Sequence, residues 1–423
     1  MREEIYVALV MFIISIGGSI ATKNNKKWSV VFLFLAAVAG SLTAGMGIRF
    51  REIVEGPFGF LDSLLCVFAA TLLVMCLDRS GAFALLLNKI AGIRNAVLKA
   101  FAVLLLIALP SMLTGFAGAS ILTTGKLVGS AMTDKKKATV IVTVGAFLGV
   151  ILPPNCIPAI IAANGAGSVL PTPYVGFFLP LLLIALPAFV VFALMNRKAL
   201  SEVSFSTETA KGAKASLIVL AVVGVAVLVD GLLSSFIYIG GLTLVFFLAT
   251  IAVIACCKGF GSFKNTLDVL SDGAVKASVP VAIVFALGSF IEVSSMTGVR
   301  GIYSLWILPY ATQNVMLVLM AASIVIGYFL SIPLPAFLIT YAVFPIGWLA
   351  NTVVVSGCSV AIALAALITR NGGISESAAQ SVGLEGKMKS GELLKAVWPV
   401  ALLVLAMGIL MVLFGDSMSF LIL

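Results

Sequence analysis

Long apolar stretches separated by short polar segments follow one another along almost the whole chain. A helix needs roughly 20 apolar residues to cross a bilayer, because each residue adds about 1.5 Å along the helix axis. The pattern therefore predicts an all-α, polytopic membrane protein. Stretches of the required length begin near Ile5, Ser29, Phe60, Thr139, Val175, Ser216, Phe236, Val275, Thr352 and Leu393.

Two further apolar regions are long and are interrupted near their middle. Residues 102–132 have a centre of small residues, and residues 315–349 have a proline-rich centre. Each region predicts a re-entrant helical hairpin, which enters the bilayer, turns and leaves on the same side. The hairpins are expected at about 100–133 and about 314–350. Bent backbone at this depth must be shielded by protein or water.

The predicted elements recur in the same order in residues 1–210 and 211–423, as three helices, a hairpin and two helices. Each half crosses the membrane five times, because its hairpin does not cross. Five is an odd number, so the second half starts on the opposite side and the two repeats are inverted. This architecture is typical of secondary transporters, whose substrate binds at the midplane between the repeats.

The distribution of positive charge predicts how these helices are oriented, because cytoplasmic loops are enriched in Lys and Arg. If both termini lie outside, only five of the 26 Lys and Arg residues fall elsewhere than in the cytoplasmic segments. These five are Arg2, Arg49, Arg51 and Arg300 on the outside and Lys126 in the first hairpin. The same bias accounts for the net charge of +9 without a nucleic-acid partner.

Composition limits the chemistry that the chain can perform. The sequence is 61% hydrophobic and 10% charged, with a mean hydropathy of +1.22, so its expected partner is the lipid bilayer. It contains no histidine, and its six cysteines show no CxxC or CxxH spacing. We therefore predict no disulfide framework, no metal centre of His and Cys ligands and no organic cofactor. We also predict no enzymatic activity, which would need a nucleophile with a base or a catalytic metal.

The helix predicted at about 138–163 contains the sequence GVILPPNCIP. Adjacent Pro153 and Pro154 remove backbone donors and clash with the preceding turn, so the helix is expected to break there. The freed carbonyls and the amide of Asn155 offer ligands for a cation or a substrate. The alternative is a plain proline kink, which is common in membrane helices.

The corresponding helix of the second half, at about 352–382, contains the sequence ITRNGGIS. Gly372 and the glycine after it can unwind the helix, and Asn371 adds an amide. If Arg370 is buried at this break, its guanidinium can hold a carboxylate through two parallel hydrogen bonds. The alternative is that Arg370 is an ordinary cytoplasmic residue at the end of a complete membrane span.

The two hairpin tips supply further polar groups. The first reads TGFAGASILTTGK, in which small residues allow close backbone approach and hydroxyls and carbonyls suit Na⁺. The alternative is a tight packing seam whose hydroxyls bond back to the helix. The second tip, GYFLSIPLPAF, has a rigid turn. The candidate substrate-binding residues are Thr114, Gly115, Ser120, Thr123, Lys126, Pro154, Asn155, Ser331, Pro333, Arg370 and Asn371. The candidate Na⁺ ligands are Thr114, Gly118, Ser120, Asn155, Ser331 and Gly372.

The stretches GFAGASILTTGKLVGSAM, VGAFLGVILPPNCIPAIIAANG and IGYFLSIPLPAFLITYAVFPI resemble the large membrane subunit of TRAP (tripartite ATP-independent periplasmic) transporters. The likeness in spacing covers nearly the whole chain, and its specific part is the first hairpin with the helix after it. It implies the elevator-type architecture of the ion transporter superfamily, in a bacterial inner membrane. It also implies Na⁺-coupled symport of a C4-dicarboxylate or similar organic acid. The partners it implies are a small membrane subunit and a periplasmic substrate-binding protein.

The chain departs from the pattern of that family at several positions. Asn155 stands where a serine is usual, and Thr-Arg-Asn-Gly replaces the expected Thr-Pro-Pro-x-Gly. Ser331 replaces an acidic residue, and Lys126 intrudes in the first hairpin. These departures leave open a cation/proton antiporter or a divergent, uncoupled member of the same superfamily. The absence of histidine and the scarcity of acids within the spans argue against a proton relay.

Overall fold

Helices form every regular element in the part of the chain that the computed structural model describes. Seven of these described helices are long and apolar enough to cross a membrane, in agreement with the predicted all-α membrane fold. The described residues are 2–22, 26–166, 176–203, 205, 210, 212–233, 241–307, 309, 313–329, 351–369, 373–384 and 390–421.

The first half contains the apolar helices, the hairpin and the interrupted helix that the hydrophobic pattern predicts. A short 3₁₀ turn at Gly56–Phe60 joins α3 to α4, and a π-helical segment at Ile121–Gly125 joins α7 to α8. The helices are α1 (Arg2–Ala21), α2 (Lys26–Thr43), α3 (Phe50–Glu55), α4 (Leu61–Arg79), α5 (Ala82–Ala91), α6 (Ala96–Thr114), α7 (Ala117–Ser120), α8 (Lys126–Ala131), α9 (Lys135–Ile151), α10 (Ile157–Ala166), α11 (Phe178–Met195) and α12 (Arg197–Ser201).

The structure describes eight helices in the second half. Its predicted hairpin begins with α17, and the rest of that hairpin lies outside the described residues. The helices are α13 (Ala213–Leu233), α14 (Leu242–Cys256), α15 (Phe263–Met296), α16 (Val299–Ile307), α17 (Gln313–Phe329), α18 (Thr352–Ile368), α19 (Ile374–Val382) and α20 (Ser390–Phe414).

Polar caps set where several of these helices begin. The side chains of Asn95, Asp134 and Asn351 accept hydrogen bonds from the first free backbone N–H groups of α6, α9 and α18. Such caps satisfy donors that have no partner inside the helix. Ser262 caps α15 in the same way, so that this 34-residue helix begins well before the apolar stretch predicted near Val275. The span predicted from near Val275 is the apolar part of this longer helix, whose polar first turns are helical too.

Apart from α5, which contacts α4, α6 and α13, the described helices pack into two groups. The first helix group comprises α1–α4 and α13–α16, in which α15 lies against α2 and α4, and α4 also packs on α14. The second helix group comprises α6–α12 and α17–α20, in which α9 lies beside α6 and α18 lies beside both α17 and α20. The groups meet mainly where α4 of the first runs along α6 of the second. Each group therefore takes corresponding elements from both halves of the chain.

Candidate substrate-binding site

The first broken helix consists of α9 and α10, separated by residues 152–156. Leu152 leaves the helix in an extended conformation, with φ −67° and ψ 141°. The peptide bond between Pro153 and Pro154 is cis. All of the connecting residues are buried, so this backbone without helical hydrogen bonds lies inside the protein.

Asn155 links the break to two other helices. Its side-chain Nδ2 donates a hydrogen bond to the backbone carbonyl of Leu113, at the end of α6, over 2.5 Å. The thiol sulfur of Cys66, on α4, lies 3.4 Å from both Oδ1 and Nδ2 of the same amide. Asn155 is fully buried, and buried amides of this kind are normally hydrogen-bonded. One side chain thus contacts both the hairpin of its own group and α4 of the first helix group.

Gly115 brings the hairpin tip directly against the break. Its φ of +75° lies in the left-handed region that favours glycine. A Cβ atom at this position would overlap the backbone carbonyl of Asn155 and would press on the side chain of Ile157. Glycine is therefore required here both for the turn and for the approach of the two backbones.

The hairpin of the first half, named hairpin 1, consists of α6, the tip residues 115–116 and a return arm from α7 to α8. Ser111 donates to the Ser120 hydroxyl from its backbone N–H over 2.8 Å and from its own hydroxyl over 2.7 Å. Further from the tip, the Thr124 hydroxyl donates to the Ile107 carbonyl over 3.3 Å. These pairs make the two arms antiparallel, as a hairpin requires. The return arm includes a π-helical segment, a feature often found at functional sites.

The threonine hydroxyls of hairpin 1 bond back to their own arms. Thr114 donates to the Pro110 carbonyl over 2.7 Å, and Thr123 donates to the Ala119 carbonyl over 2.6 Å. Both side chains are buried. This is the packing-seam arrangement that the sequence offered as the alternative to a Na⁺ site. The hydroxyl oxygens keep lone pairs, however, so back-bonding does not prevent them from coordinating a cation.

The second broken helix consists of α18 and α19, with Thr369 directly after α18. The Thr369 hydroxyl lies 2.9 Å from the carbonyl of Gly327 on α17 and 2.5 Å from the carbonyl of Ala365 on α18. Its single proton is shared between these two acceptors. Gly373, directly before α19, lies close to Thr369 in space. A Cβ atom on Gly373 would be 2.7 Å from the Thr369 carbonyl oxygen.

The two broken helices pack crosswise. The first half of one contacts the second half of the other, with α9 against α19 and α10 against α18. Hairpin 1 joins this arrangement through α8, where a Cβ atom on Gly129 would lie 2.7 Å from the Val382 side chain. The helices on both sides of each break and hairpin 1 therefore belong to one packed unit in the second helix group.

The structure brings together some of the predicted site residues. Thr114, Gly115, Pro154 and Asn155 meet where the hairpin tip touches the break, and Gly118 is half-buried next to the tip. Ser120 and Thr123 lie further along the return arm. Lys126 is exposed at the start of α8, close enough to Asp78 to interact with it electrostatically. The other predicted residues, Ser331, Pro333, Arg370, Asn371 and Gly372, lie outside the described residues.

Two contacts at this site were not predicted from the sequence. Cys66 lies in an unbroken apolar run of α4, and nothing in that run distinguishes it from a packing residue. Thr369 stands next to Arg370, and the interpretation of the second break rested on Arg370, Asn371 and the two glycines after them. A local signal was present only for Thr369, as a polar residue at the end of an apolar helix.

No protein-family model matches this chain, and no curated protein matches it either. Comparison of structures, in contrast, finds 24 matching chains.

The fold is similar to that of solved membrane transporters. The YdaH transporter of Alcanivorax borkumensis, described as having an unusual topology, superposes with a TM-score of 0.64 and 14% identity. That match covers 93% of this chain and 98% of the other. The chain has the fold of a membrane transporter. MtrF of Neisseria gonorrhoeae, from a class of antimetabolite efflux pumps, superposes with a TM-score of 0.58 and 13% identity. There the match covers 91% of this chain and 94% of the other.

These comparisons support the predicted class of fold, a multi-pass helical membrane protein. The transporter fold with many membrane-spanning helices agrees with the prediction. The specific assignment to TRAP permeases finds no support in them, since both solved structures are described as other transporters. At 13–14% identity the shared feature is the fold, and neither the substrate nor the coupling ion follows from it.

Proposed function

We propose that this chain is a secondary active transporter of a small organic anion, a C4-dicarboxylate or similar acid. The observation that carries this proposal is the docking of the hairpin 1 tip onto the break of α9 and α10. Buried, interrupted helices of this kind place backbone carbonyls and helix ends at the binding site of secondary transporters. Such irregular backbone occurs within a membrane only where protein or a cavity surrounds it.

The elevator mechanism is supported by the division of the helices into two groups. The second helix group holds hairpin 1, both broken helices and α17, the described start of the predicted second hairpin. These are the elements expected to carry the solute. The first helix group holds α1–α4 and α13–α16, from both halves, and it touches the break through the thiol of Cys66. In an elevator mechanism the second group slides along the first and takes the bound anion with it. Inverted repeats with both termini outside are part of this proposal.

Coupling to Na⁺ is supported by the chemistry of the buried polar groups. Among the described residues, the buried polar side chains are Ser, Thr and Asn, with Lys99 as the single charged one. Neutral oxygens can coordinate Na⁺, whereas a proton relay through the membrane usually depends on buried carboxylates or histidines. A cation/proton antiporter, the second candidate, is disfavoured on the same ground. An uncoupled carrier differs from the proposal only in lacking ion dependence.

The direction of transport is a separate part of the proposal. The sequence resemblance favours uptake into a bacterial cell, with a small membrane subunit and a periplasmic binding protein as partners. The structural likeness to MtrF, described as one of the antimetabolite efflux pumps, favours testing export as well. Both directions use the same site, so the orientation of the driving gradient must be varied in the experiment.

The proposal is tested with the purified full chain in proteoliposomes. Radiolabelled succinate, malate, fumarate and aromatic carboxylates are supplied with an inward Na⁺ gradient, an outward Na⁺ gradient or a K⁺ gradient of the same size. The expected result is accumulation of at least one acid that depends on Na⁺ and is absent from empty liposomes. Cation–proton exchange without any organic solute would instead establish the antiporter. If a correctly folded preparation neither binds nor accumulates any of these acids, the proposed substrate class is contradicted.

A further inference from the structure

In each half of the chain, one polar side chain next to the helix break hydrogen-bonds to the preceding helix, which is α6 of hairpin 1 in the first half and α17, the described start of the predicted second hairpin, in the second half. In the first half, Asn155 donates from the break to the Leu113 carbonyl on α6. In the second half, Thr369 lies within hydrogen-bonding distance of the Gly327 carbonyl on α17. The two donors differ in residue type and in distance from the preceding helix, but the relation between hairpin arm and break is the same.

Both acceptors are backbone carbonyl groups. Gly327 lies near the last described residue of α17, and Leu113 lies in the last turn of α6, where carbonyl groups have no donor within the helix. Such a group is costly to bury without a partner. A side chain at the break is well placed to donate to it, because the backbone there has left the helical path.

Both donors are shielded from water. Asn155 is fully buried and Thr369 is 8% exposed. The Asn155 amide has two N–H groups, so it can donate to Leu113 and still contact Cys66. The Thr369 hydroxyl has one proton and a second acceptor in Ala365, which makes the second tie the weaker of the two.

We propose that Thr369 is a positioning residue and the counterpart of Asn155. Each of the two side chains holds the inbound arm of a hairpin in register with the break of the same half. The hairpin and the broken helix then keep a fixed relative position while the second helix group moves. The consequence for transport rests on the proposed function, whereas the structural role of the two ties does not.

The structural part is tested by amide hydrogen exchange of the full chain in nanodiscs, without any solute. Thr369→Val removes the donor and keeps the shape, and it should raise exchange in the last turn of α17 about fivefold. That factor corresponds to the loss of one hydrogen bond. Thr369→Ser restores the hydroxyl and should return exchange to the wild-type rate. Asn155→Leu should produce a similar rise in the last turn of α6 and at residues 115–116.

A matched control separates a tie between elements from an ordinary bond within a helix. Thr143, in the first broken helix, is fully buried and bonds to the Thr139 carbonyl of the same helix. Thr143→Val should leave exchange in α6 and α17 unchanged, since such local bonds add little. Wild-type exchange at α17 in Thr369→Val would overturn the proposal. An equal rise in Thr369→Ser or in Thr143→Val would overturn it as well.

Transport kinetics give a second readout that distinguishes the two proposals. A misplaced hairpin weakens solute binding, so KM should rise about fivefold in Thr369→Val and recover in Thr369→Ser. A purely structural defect would lower the amount of active protein and leave KM unchanged. If the wild-type chain transports no organic acid, the proposed function fails. The exchange measurements then still decide whether Thr369 and Asn155 hold the hairpins.

Discussion

At the scale of single residues, the contact between the tip of hairpin 1 and the break of the first helix depends most on the absence of a side chain at Gly115. Its left-handed backbone and its contact with the Asn155 carbonyl leave no room for a side chain. We expect Gly115→Ala to cost more than the roughly 1–2 kcal/mol of the left-handed conformation alone, because the tip must also move off the break. The measurement is thermal unfolding in detergent, together with anion accumulation in proteoliposomes.

Gly118→Ala is the matched control for that substitution. Gly118 does not have a positive φ, and an added Cβ would meet only the ring of Phe116, at 3.3 Å. We expect a shift in unfolding temperature that is clearly smaller than for Gly115→Ala. Equal effects of the two substitutions would show that close contact between the tip and the break is not what requires glycine at residue 115.

Arg370 remains the strongest candidate from the sequence for binding a carboxylate, and it lies outside the described residues. If the Arg370 guanidinium binds the carboxylate of the anion, Arg370→Ala should abolish accumulation. Arg370→Lys should restore little of it, because an ammonium group cannot reproduce the two parallel hydrogen bonds. The check is initial uptake rate at equal reconstituted protein. Wild-type rates in Arg370→Ala would assign the residue to the cytoplasmic end of the span instead.

At the scale of elements, Ser120 holds together the two arms of hairpin 1. Ser120→Ala leaves two donors of Ser111, the backbone N–H and the hydroxyl, without their buried acceptor. Such a loss costs about 1–3 kcal/mol, whereas deleting one ordinary hydrogen bond costs about 1 kcal/mol. Ser111→Ala removes only the hydroxyl bond and keeps the backbone one. We therefore expect Ser120→Ala to lower the unfolding temperature more than Ser111→Ala, and the reverse order would contradict this geometry.

Local features of the sequence predicted most of these elements. The apolar runs located the membrane helices, and the adjacent prolines located the break, because both effects depend on neighbouring residues alone. Long-range contacts could not be predicted in the same way. The partners of Asn155 and Thr369 are backbone carbonyls, which every residue carries, and Cys66 looks like any apolar residue in its run. The role of the Ser and Thr hydroxyls at the tip of hairpin 1 could not be predicted, because hydrogen bonding back to the helix and cation binding use the same residue types.

At the scale of the whole molecule, the proposed elevator mechanism requires relative motion of the two helix groups. Their packing supports this, since each group combines corresponding elements of both halves and α4 lies against the other group at Cys66 and Asn155. Large motions of this kind occur when packed bodies slide past one another as rigid units. Distances within a group should then stay constant during transport, while distances between the groups change.

The most direct test measures such distances by double electron–electron resonance on spin-labelled cysteines in a cysteine-free background. One label pair replaces Lys136 on α9 and Lys264 on α15, which are exposed residues of different groups. The control pair replaces Lys214 on α13 and Lys264, which belong to the same group. We predict two distance populations for the first pair, whose proportions shift with Na⁺ and a transported acid, and one constant distance for the control. A single unchanged distance in both pairs, in a preparation that transports, would contradict the account.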